Sequence, residues 1–291
     1  EMVLDFEAEK SPFEHRCMYV HPIDWNLTHL TADTFTLCEW QRYLDLVQGA
    51  GANMVKIFIW PTQYYHRESA QTYRNQYYWE ILREALEYAH VLDLETHIGF
   101  GANCVPPSAW LAHPKARAQE VNYNGIHLCW QRGKDAILDF SGELIDYFAD
   151  SVTGFVVWYA DPGVCVCEQC MPYTPVMLDI RETYEAVVGP RAQVHHCPWW
   201  IWRMEAGDDQ LPASPGIQKE FFGALEDDWT VIYSEAPDAI QLAQQAGLDV
   251  LGFAFFMDPE GGDERHSILP RTRFDRIEKA VRAAADAGHG L

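Results

Sequence analysis

The chain has 291 residues, 48% hydrophobic and 13% aromatic, which excludes a disordered protein and is enough for one large α/β domain or two small ones. Its 43 acidic against 21 basic residues give a formal net charge of −22, which argues against nucleic acid or an anionic membrane surface as a partner. No run approaches the ~20 apolar residues of a membrane span. The first residues, EMVLDFEAEK, lack the pattern of a signal peptide. We therefore expect no membrane partner and leave the compartment open, with the cytoplasm favoured.

Short apolar runs alternate along the chain with windows of helical spacing. The runs occupy residues 16–21, 54–60, 95–100, 154–159, 192–200, 229–234 and 250–257. Such continuous runs are typical of parallel strands covered on both faces. The first two windows place apolar residues on one helical face: Leu37, Trp40, Leu44 and Val47, then Tyr78, Ile81, Leu82, Ala85 and Ala89.

Seven strand–helix units with no break in composition predict a single (β/α)8 barrel domain over residues 1–291. The eighth strand is the least defined, because either residues 2–6 or a short segment within 264–270 could supply it. A doubly wound open sheet is the alternative architecture.

In a (β/α)8 barrel the chemistry lies at the carboxyl ends of the strands. Carboxylates, histidines, amides and indoles follow the predicted strands here. The candidate catalytic residues are Asp161, Glu235, Asp258 and Glu260. The candidate substrate-binding residues are His21, Trp60, Asn103, Trp158, His196, Trp199 and Trp200.

A dense group of cysteines follows the fourth predicted strand, in ADPGVCVCEQC (160–170). Tetrahedral zinc takes four ligands, and this loop offers three thiolates. Unligated reduced thiols and a redox pair are the alternatives. A zinc site would need a fourth ligand from Cys104, Cys129 or Cys197.

The stretch from PPSAWLAHP (106–114) through GIHLCWQ (125–131) to GFVVWYADPGVCVCEQC resembles glycoside hydrolase family 42, the zinc-containing β-galactosidases. The resemblance covers about residues 50–175. It implies a barrel glycosidase, a homo-oligomer and a zinc ion held by Cys129, Cys165, Cys167 and Cys170. Four thiolates leave no open coordination position, so the implied zinc is structural.

The resemblance also implies an Asn-Glu acid/base pair after the fourth strand and a nucleophilic Glu after the seventh. This chain departs from that pattern, since Tyr159-Ala160-Asp161 stands where the pair is expected. We take Asp161 as the acid/base, with a turn-forming Asp before Pro-Gly as the alternative. Glu235 is the leading nucleophile or base, although it also precedes a predicted helix that favours an acidic residue. Asp258 and Glu260 come next, in a segment with turn chemistry.

Aromatic and histidine side chains complete the candidate carbohydrate site. Adjacent strand residues point to opposite faces, so only one of His195 and His196 can reach the barrel mouth. We expect two or three tryptophans to form a sugar-stacking platform, because barrel interiors favour branched aliphatic residues. The tryptophans near strand ends or in the following loops are Trp60, Trp110, Trp130, Trp158, Trp199, Trp200 and Trp202.

These features predict a glycoside hydrolase with a carbohydrate substrate. One alternative is a metal-dependent sugar isomerase of the xylose-isomerase type, with His196, Glu235 and Asp258 as ligands. The other is a barrel that binds glycans without turnover. No Gly-rich phosphate loop and no Gly-x-Ser-x-Gly motif is present.

Overall fold

The computed structural model describes the backbone of residues 15–20, 35–61, 72–119, 126–159, 165–198, 216–225, 229–233 and 237–253. Within these ranges, strands and helices alternate. The strands are β1 Cys17–Val20, β2 Met54–Phe58, β3 Glu95–Gly101, β4 Gly154–Trp158, β5 Gln193–Cys197, β6 Trp229–Tyr233 and β7 Asp249–Phe253. The helices are α1 Leu37–Gly49, α2 Thr72–Val91, α3 Pro107–Ala112, α4 Trp130–Phe148, α5 Thr174–Val188, α6 Ile217–Ala224 and α7 Pro237–Gln245.

The sheet has the strand order of a barrel. Each of the seven described strands overlaps one predicted apolar run, and each strand from β1 to β6 pairs in parallel with the next strand along the chain. A doubly wound sheet would reverse its strand order at a switch point, and the described strands show no reversal. The fold is therefore of the (β/α)8 type. Residues 2–6 and 264–270, the candidates for the eighth strand, lie outside the described residues.

The outer face of the sheet carries the larger core. Strand residues such as Val55, Ile98 and Phe155 pack there under the helices, together with the buried Trp40 and Leu82. The predicted apolar faces of α1 and α2 are thus confirmed. α1 begins with a capping box, in which the Thr36 side chain accepts from the Glu39 backbone N–H and the Glu39 carboxylate accepts in return.

The inner face of the sheet has an unusual composition. Toward the carboxyl ends of the strands it is filled by aromatic rings, with Phe58 and Trp158 in edge-to-face contact at 5.3 Å. Below them lie Lys56, His97 and His195, all at most 1% exposed. The two histidine rings stack at a centroid distance of 5.0 Å. Our expectation of branched aliphatic residues in the interior is wrong for this part of the chain.

Gly99 of β3 makes room for the aromatic layer. A Cβ at this position would come within 3.1 Å of both the Phe58 ring and the Trp158 indole nitrogen. Because Gly99 has no side chain, the indole ring of Trp158 on β4 can lie against β3. Among the described residues, no helix combines the length and apolar character needed to cross a membrane.

Candidate metal centre and strand-end site

Four thiols meet in one buried group formed by Cys129, Cys165, Cys167 and Cys170. All four Sγ atoms lie within 4.8 Å of one another. The Cys129 Sγ is 3.7 Å from that of Cys167 and 3.5 Å from that of Cys170. Zinc–sulfur bonds of about 2.3 Å in a tetrahedron require sulfur separations of about 3.8 Å. The group therefore has the size and the donor set of a closed zinc site.

Backbone hydrogen bonds hold the group together from both sides. The Cys129 N–H donates to the Ala116 carbonyl at 2.7 Å, just before α4 begins. The Val166 N–H donates to the Gln119 carbonyl at 2.8 Å, and the Gln119 N–H points at the Cys165 sulfur at 3.4 Å. The cluster thus joins the loop that follows β4 to residues 116–119 and to the start of α4.

The electrostatics of the group favour a thiolate at Cys129 and oppose thiolates at Cys165 and Cys170. Hydrogen bonds from Cys165 and Cys170, with a further contribution from Arg132, hold the pKa of Cys129 far below its usual range. The hydrogen bond with Cys129 raises the pKa of Cys165 to about 11. Contact with Cys129 also raises the pKa of Cys170. A metal ion requires deprotonated thiols and would neutralise the charge that accumulates among them.

The other cysteines do not join this group. Cys104 and Cys197, the alternative fourth ligands, are buried elsewhere, and all eight cysteines are free of disulfides. Within the described ranges, this is also the one group of three or more His, Cys, Asp or Glu side chains that could hold a metal ion. The four residues predicted as ligands are therefore confirmed as a buried cluster that could bind a metal.

Three of the tryptophans predicted to stack on sugars, Trp60, Trp130 and Trp158, are buried in the core, which corrects the predicted sugar platform at these positions. Trp60 and Trp158 lie in the inner aromatic layer, 7% and 1% exposed. Trp130 is buried in the helical layer, where its Nε1 donates to Asp179 at 2.6 Å. Trp110 is partly buried, with the Arg117 guanidinium 3.7 Å from its ring centroid. The remaining indoles of the prediction lie outside the described residues: Trp199, Trp200 and Trp202.

Asn103 lies just beyond β3, as expected for a strand-end residue, but its amide is already engaged. The side chain is 3% exposed, and its Nδ2 donates to the Leu128 carbonyl at 3.0 Å. The Leu128 N–H donates back to the Asn103 carbonyl at 3.1 Å. Asn103 therefore fastens the segment before Cys129 to the end of β3.

The two adjacent histidines of β5 face opposite sides of the sheet, as predicted, but His196 is not the inner one. His195 stacks on His97 in the interior, whereas His196 lies in the outer layer beside Tyr159 and Phe221. The strand register decides this, because His195 pairs with Val156 of the inner cluster. The position of His196 corrects its predicted place in the barrel mouth.

His196 connects a tyrosine to a carboxylate. Its Nδ1 lies 2.8 Å from the Tyr159 hydroxyl, and its Nε2 lies 3.4 Å from Glu185 Oε1. Arg181 Nε donates to the same carboxylate oxygen at 2.7 Å and its Nη1 donates to the Ala224 carbonyl. We call Tyr159, His196, Glu185 and Arg181 the strand-end relay. This relay was not predicted from the sequence. The one local signal for it is the i,i+4 spacing of Arg181 and Glu185 on α5.

The predicted catalytic carboxylates lie outside the described residues, as does His21. The strands that precede the carboxylates are described, and all run parallel. β4 ends at Trp158, before Asp161, and β6 ends at Tyr233, before Glu235. β7 ends at Phe253, before Asp258 and Glu260. Parallel strands bring their carboxyl ends to one edge of the sheet, so the chain leaves all three strands on the same side.

Comparison with known proteins places the fold in the class of barrels found in glycoside hydrolases. No protein-family model and no curated protein sequence matches the chain. An endo-1,4-β-D-mannanase of Thermotoga petrophila superimposes with a TM-score of 0.57 at 10% identity, covering 95% of this chain and 86% of that one.

Hexosaminidase barrels are similar as well. A GH20 module of a pneumococcal exo-β-D-N-acetylglucosaminidase gives a TM-score of 0.56 at 13% identity, covering 91% of this chain and 70% of that one. A GH20 β-N-acetylhexosaminidase of Streptomyces coelicolor gives 0.52 at 14%, covering 84% and 49%. At such identities the similarity establishes the fold. The more specific resemblance to family 42 stays a prediction.

Proposed function

We propose that the chain is a glycoside hydrolase that uses paired carboxylates at the carboxyl edge of the barrel. The single observation that carries the proposal is the strand arrangement. β4, β6 and β7 are parallel members of one sequentially ordered sheet, and each is followed within a few residues by a predicted catalytic acid. The barrel is the one found in a mannanase and in hexosaminidases.

The roles follow from the chemistry of glycosidic bond cleavage. One carboxyl group protonates the leaving oxygen and a second acts as nucleophile or as base toward water. We assign the first role to Asp161 and the second to Glu235, with Asp258 and Glu260 as the alternatives for Glu235. A separation of about 5–5.5 Å between the two carboxyl groups gives retention and about 6.5–9.5 Å gives inversion.

We propose a β-linked glycan as the substrate. The family resemblance favours β-galactosides, and the similar structures act on β-N-acetylglucosaminides or on a β-mannan. The low exposure of Trp60 and Trp158 leaves sugar stacking to the tryptophans that follow β5, Trp199 and Trp200. The enzyme assignment requires no basic surface, in keeping with the net charge of −22.

We also propose that Cys129, Cys165, Cys167 and Cys170 bind a structural zinc ion. The burial of the four thiols, their spacing and the lowered pKa of Cys129 support the assignment. With four sulfur ligands the ion would bind no substrate or water; it would connect residues 165–170 to the start of α4.

The isomerase alternative is weakened by one observation. Its oxygen-and-imidazole metal site would use His196, and that side chain lies in the outer layer between Tyr159 and Glu185. The glycan-binding alternative differs from the proposal only in turnover, so kinetics must separate the two.

The test is an assay of the purified chain on 4-nitrophenyl β-galactoside, β-N-acetylglucosaminide and β-mannoside, and on β-mannan. We expect turnover of at least one of these, without added Mg²⁺ or Mn²⁺. Asp161→Asn should lower kcat by roughly 10²–10⁴-fold, the usual contribution of a general acid. Azide should restore part of the activity of Glu235→Ala if Glu235 is a nucleophile.

Asp150→Asn, which changes an exposed acid at the amino-terminal side of β4, is the matched control and should retain activity. Sugar binding without hydrolysis by the wild-type chain would instead establish the glycan-binding alternative. Interconversion of free sugars that requires added Mg²⁺ or Mn²⁺, without hydrolysis of any glycoside, would establish the isomerase class.

A further inference from the structure

The strand-end relay occupies an informative place in the fold. Tyr159 is the residue directly after β4, and His196 is the penultimate residue of β5. The Tyr159 N–H donates to the Cys197 carbonyl at 3.0 Å, and its hydroxyl contacts His196 at 2.8 Å. One residue thus connects the ends of both strands, through its backbone and through its side chain.

The groups at the two ends of the relay have defined protonation states. Burial raises the pKa of Tyr159 well above its usual value, so the phenol keeps its proton beside His196 Nδ1. On the other side of the imidazole, His196 Nε2 lies 3.4 Å from Glu185 Oε1. The hydrogen bond with His196, together with that from Arg181, lowers the pKa of Glu185, so its carboxylate is the acceptor. The relay therefore joins a protonated phenol to a carboxylate through one imidazole.

The carboxylate–imidazole–hydroxyl order is also that of a nucleophilic triad, but burial excludes this role. Tyr159 and His196 are both 0% exposed. The Phe221 ring of α6 lies against them, at centroid distances of 5.1 Å and 6.2 Å. No substrate can reach the phenol in this layer, so the relay acts on protein structure.

We propose that the relay is a positioning device for the end of β4, and that it sets turnover through Asp161, two residues beyond Tyr159. The inference rests on the proposed function, because it assigns Asp161 the role of acid. Four elements contribute to the hold: β4, β5, α5 through Glu185 and Arg181, and α6 through Phe221 and the Ala224 carbonyl. Tyr159, His196 and Glu185 are positioning residues and do not contact substrate.

The proposal explains why a tyrosine and a histidine are placed in an apolar layer. Burying two polar rings costs free energy unless their polar atoms have partners. The relay pairs the Tyr159 hydroxyl with His196 Nδ1 at 2.8 Å and places Glu185 3.4 Å from His196 Nε2. Its outer end reaches water, because the Glu185 side chain is 37% exposed. The relay therefore runs from the protein surface to the edge of the sheet where the chain continues toward Asp161.

The test is Tyr159→Phe in the full chain, which removes one hydroxyl and keeps the ring. Two readouts are needed: kcat and KM on whichever 4-nitrophenyl glycoside the wild type hydrolyses, and backbone hydrogen–deuterium exchange of a peptide spanning 159–165. We expect kcat to fall about tenfold with KM unchanged, because small misplacements of a catalytic group cost large factors in rate. Exchange in the peptide should be faster.

Tyr88→Phe is the matched control. Like the Tyr159 hydroxyl, the Tyr88 hydroxyl forms one side-chain hydrogen bond. It donates to the Asp45 carboxylate at 2.8 Å, on the α1–α2 side of the fold. This variant should leave kcat and the exchange of residues 159–165 unchanged. Zinc content and melting temperature, measured for both variants, verify that they fold.

Glu185 provides a second pair of variants. Glu185→Gln keeps a carbonyl oxygen that accepts from His196 Nε2, whereas Glu185→Ala removes the acceptor. We expect the alanine variant to match Tyr159→Phe and the glutamine variant to recover most of kcat. If both variants lose kcat equally, the ion pair of Glu185 with Arg181 would be the relevant interaction, and a positioning role for the contact between His196 and Glu185 would be rejected.

The outcomes separate this proposal from the proposed function. Tyr159→Phe with unchanged kcat overturns the positioning role, whatever its exchange. If the wild-type chain hydrolyses no glycoside, the proposed function fails and the exchange data alone decide on the relay. In that case faster exchange in Tyr159→Phe but not in Tyr88→Phe supports its hold on the strand end, and equal exchange overturns it.

Discussion

The cysteine cluster and the strand-end relay flank the same short stretch of chain and hold it by different physical means. The relay engages Tyr159, and the cluster engages Cys165. The cluster concentrates four sulfur atoms within 4.8 Å and would depend on one ion. The relay spreads its contacts over several elements, through hydrogen bonds and an ion-pair contact.

This difference predicts how strongly a single substitution should affect the cysteine cluster and the relay. Removal of one ligand from a four-coordinate zinc site affects the whole site, because the remaining thiolates lose their shared counter-charge. Removal of one bond from the relay leaves the others in place, together with the packing of Phe221. The comparison predicts a large, all-or-none effect on the cysteine side and graded effects on the tyrosine side.

The largest expected effect comes from Cys170→Ser. This change should abolish zinc binding and lower the free energy of unfolding by about 4 kcal/mol or more, the range that accompanies loss of a structural metal. Chemical denaturation together with metal analysis checks it. Cys38→Ser, at an exposed cysteine of α1, is the control and should alter neither quantity. A variant that keeps its zinc and its stability would show that the thiols do not act as one site.

A smaller effect is expected from His196→Phe, which keeps a ring in the outer layer and removes both nitrogens. The Tyr159 hydroxyl would lose its hydrogen-bond partner in a buried position, which costs about 1–3 kcal/mol. Zinc content should remain at one ion per chain, as measured by metal analysis beside urea denaturation. Loss of zinc in this variant would mean that the cysteine cluster depends on the relay, which would contradict their independence.

The smallest effect concerns pH. The pKa of Glu185 is lower in the folded chain than in the unfolded one, chiefly because of its hydrogen bond with His196 and its proximity to Arg181. Its contribution is therefore present above the unfolded value of about 4.3 and is lost as the pH falls through the folded pKa. Between about pH 5 and pH 3, Glu185→Gln should lose less stability than the wild type. Parallel slopes for the two proteins over this range would contradict the prediction.

The strand pattern and the cysteine spacing were predictable from the sequence, for clear reasons. A parallel strand buried on both faces needs a continuous apolar run. The first five residues of the run GFVVWY accordingly form β4. The loop cysteines are close in sequence, so their proximity in space follows directly. Cys129 required the family resemblance, because 36 residues separate it from Cys165.

The orientation of strand residues was not predictable to the same degree. Which of His195 and His196 faces inward depends on register with β4, and a parallel strand with both faces buried gives no alternation to reveal it. The aromatic interior was missed for a related reason. The Trp158 side chain fits inside because Gly99 of β3 leaves space for it. This contact joins residues that are 59 positions apart in the sequence.

The number of residues before β5 decides which of its two neighbouring histidines faces the interior of the sheet. Insertion or deletion of one residue before His195 would exchange the two imidazoles between the faces of the sheet. After a deletion, His196 would take the place of His195 in the interior beside His97. After an insertion, His195 would take the place of His196 beside Tyr159. A one-residue deletion at residues 189–192 would thus disconnect α5 from the end of β4 while leaving the amino-acid composition almost untouched.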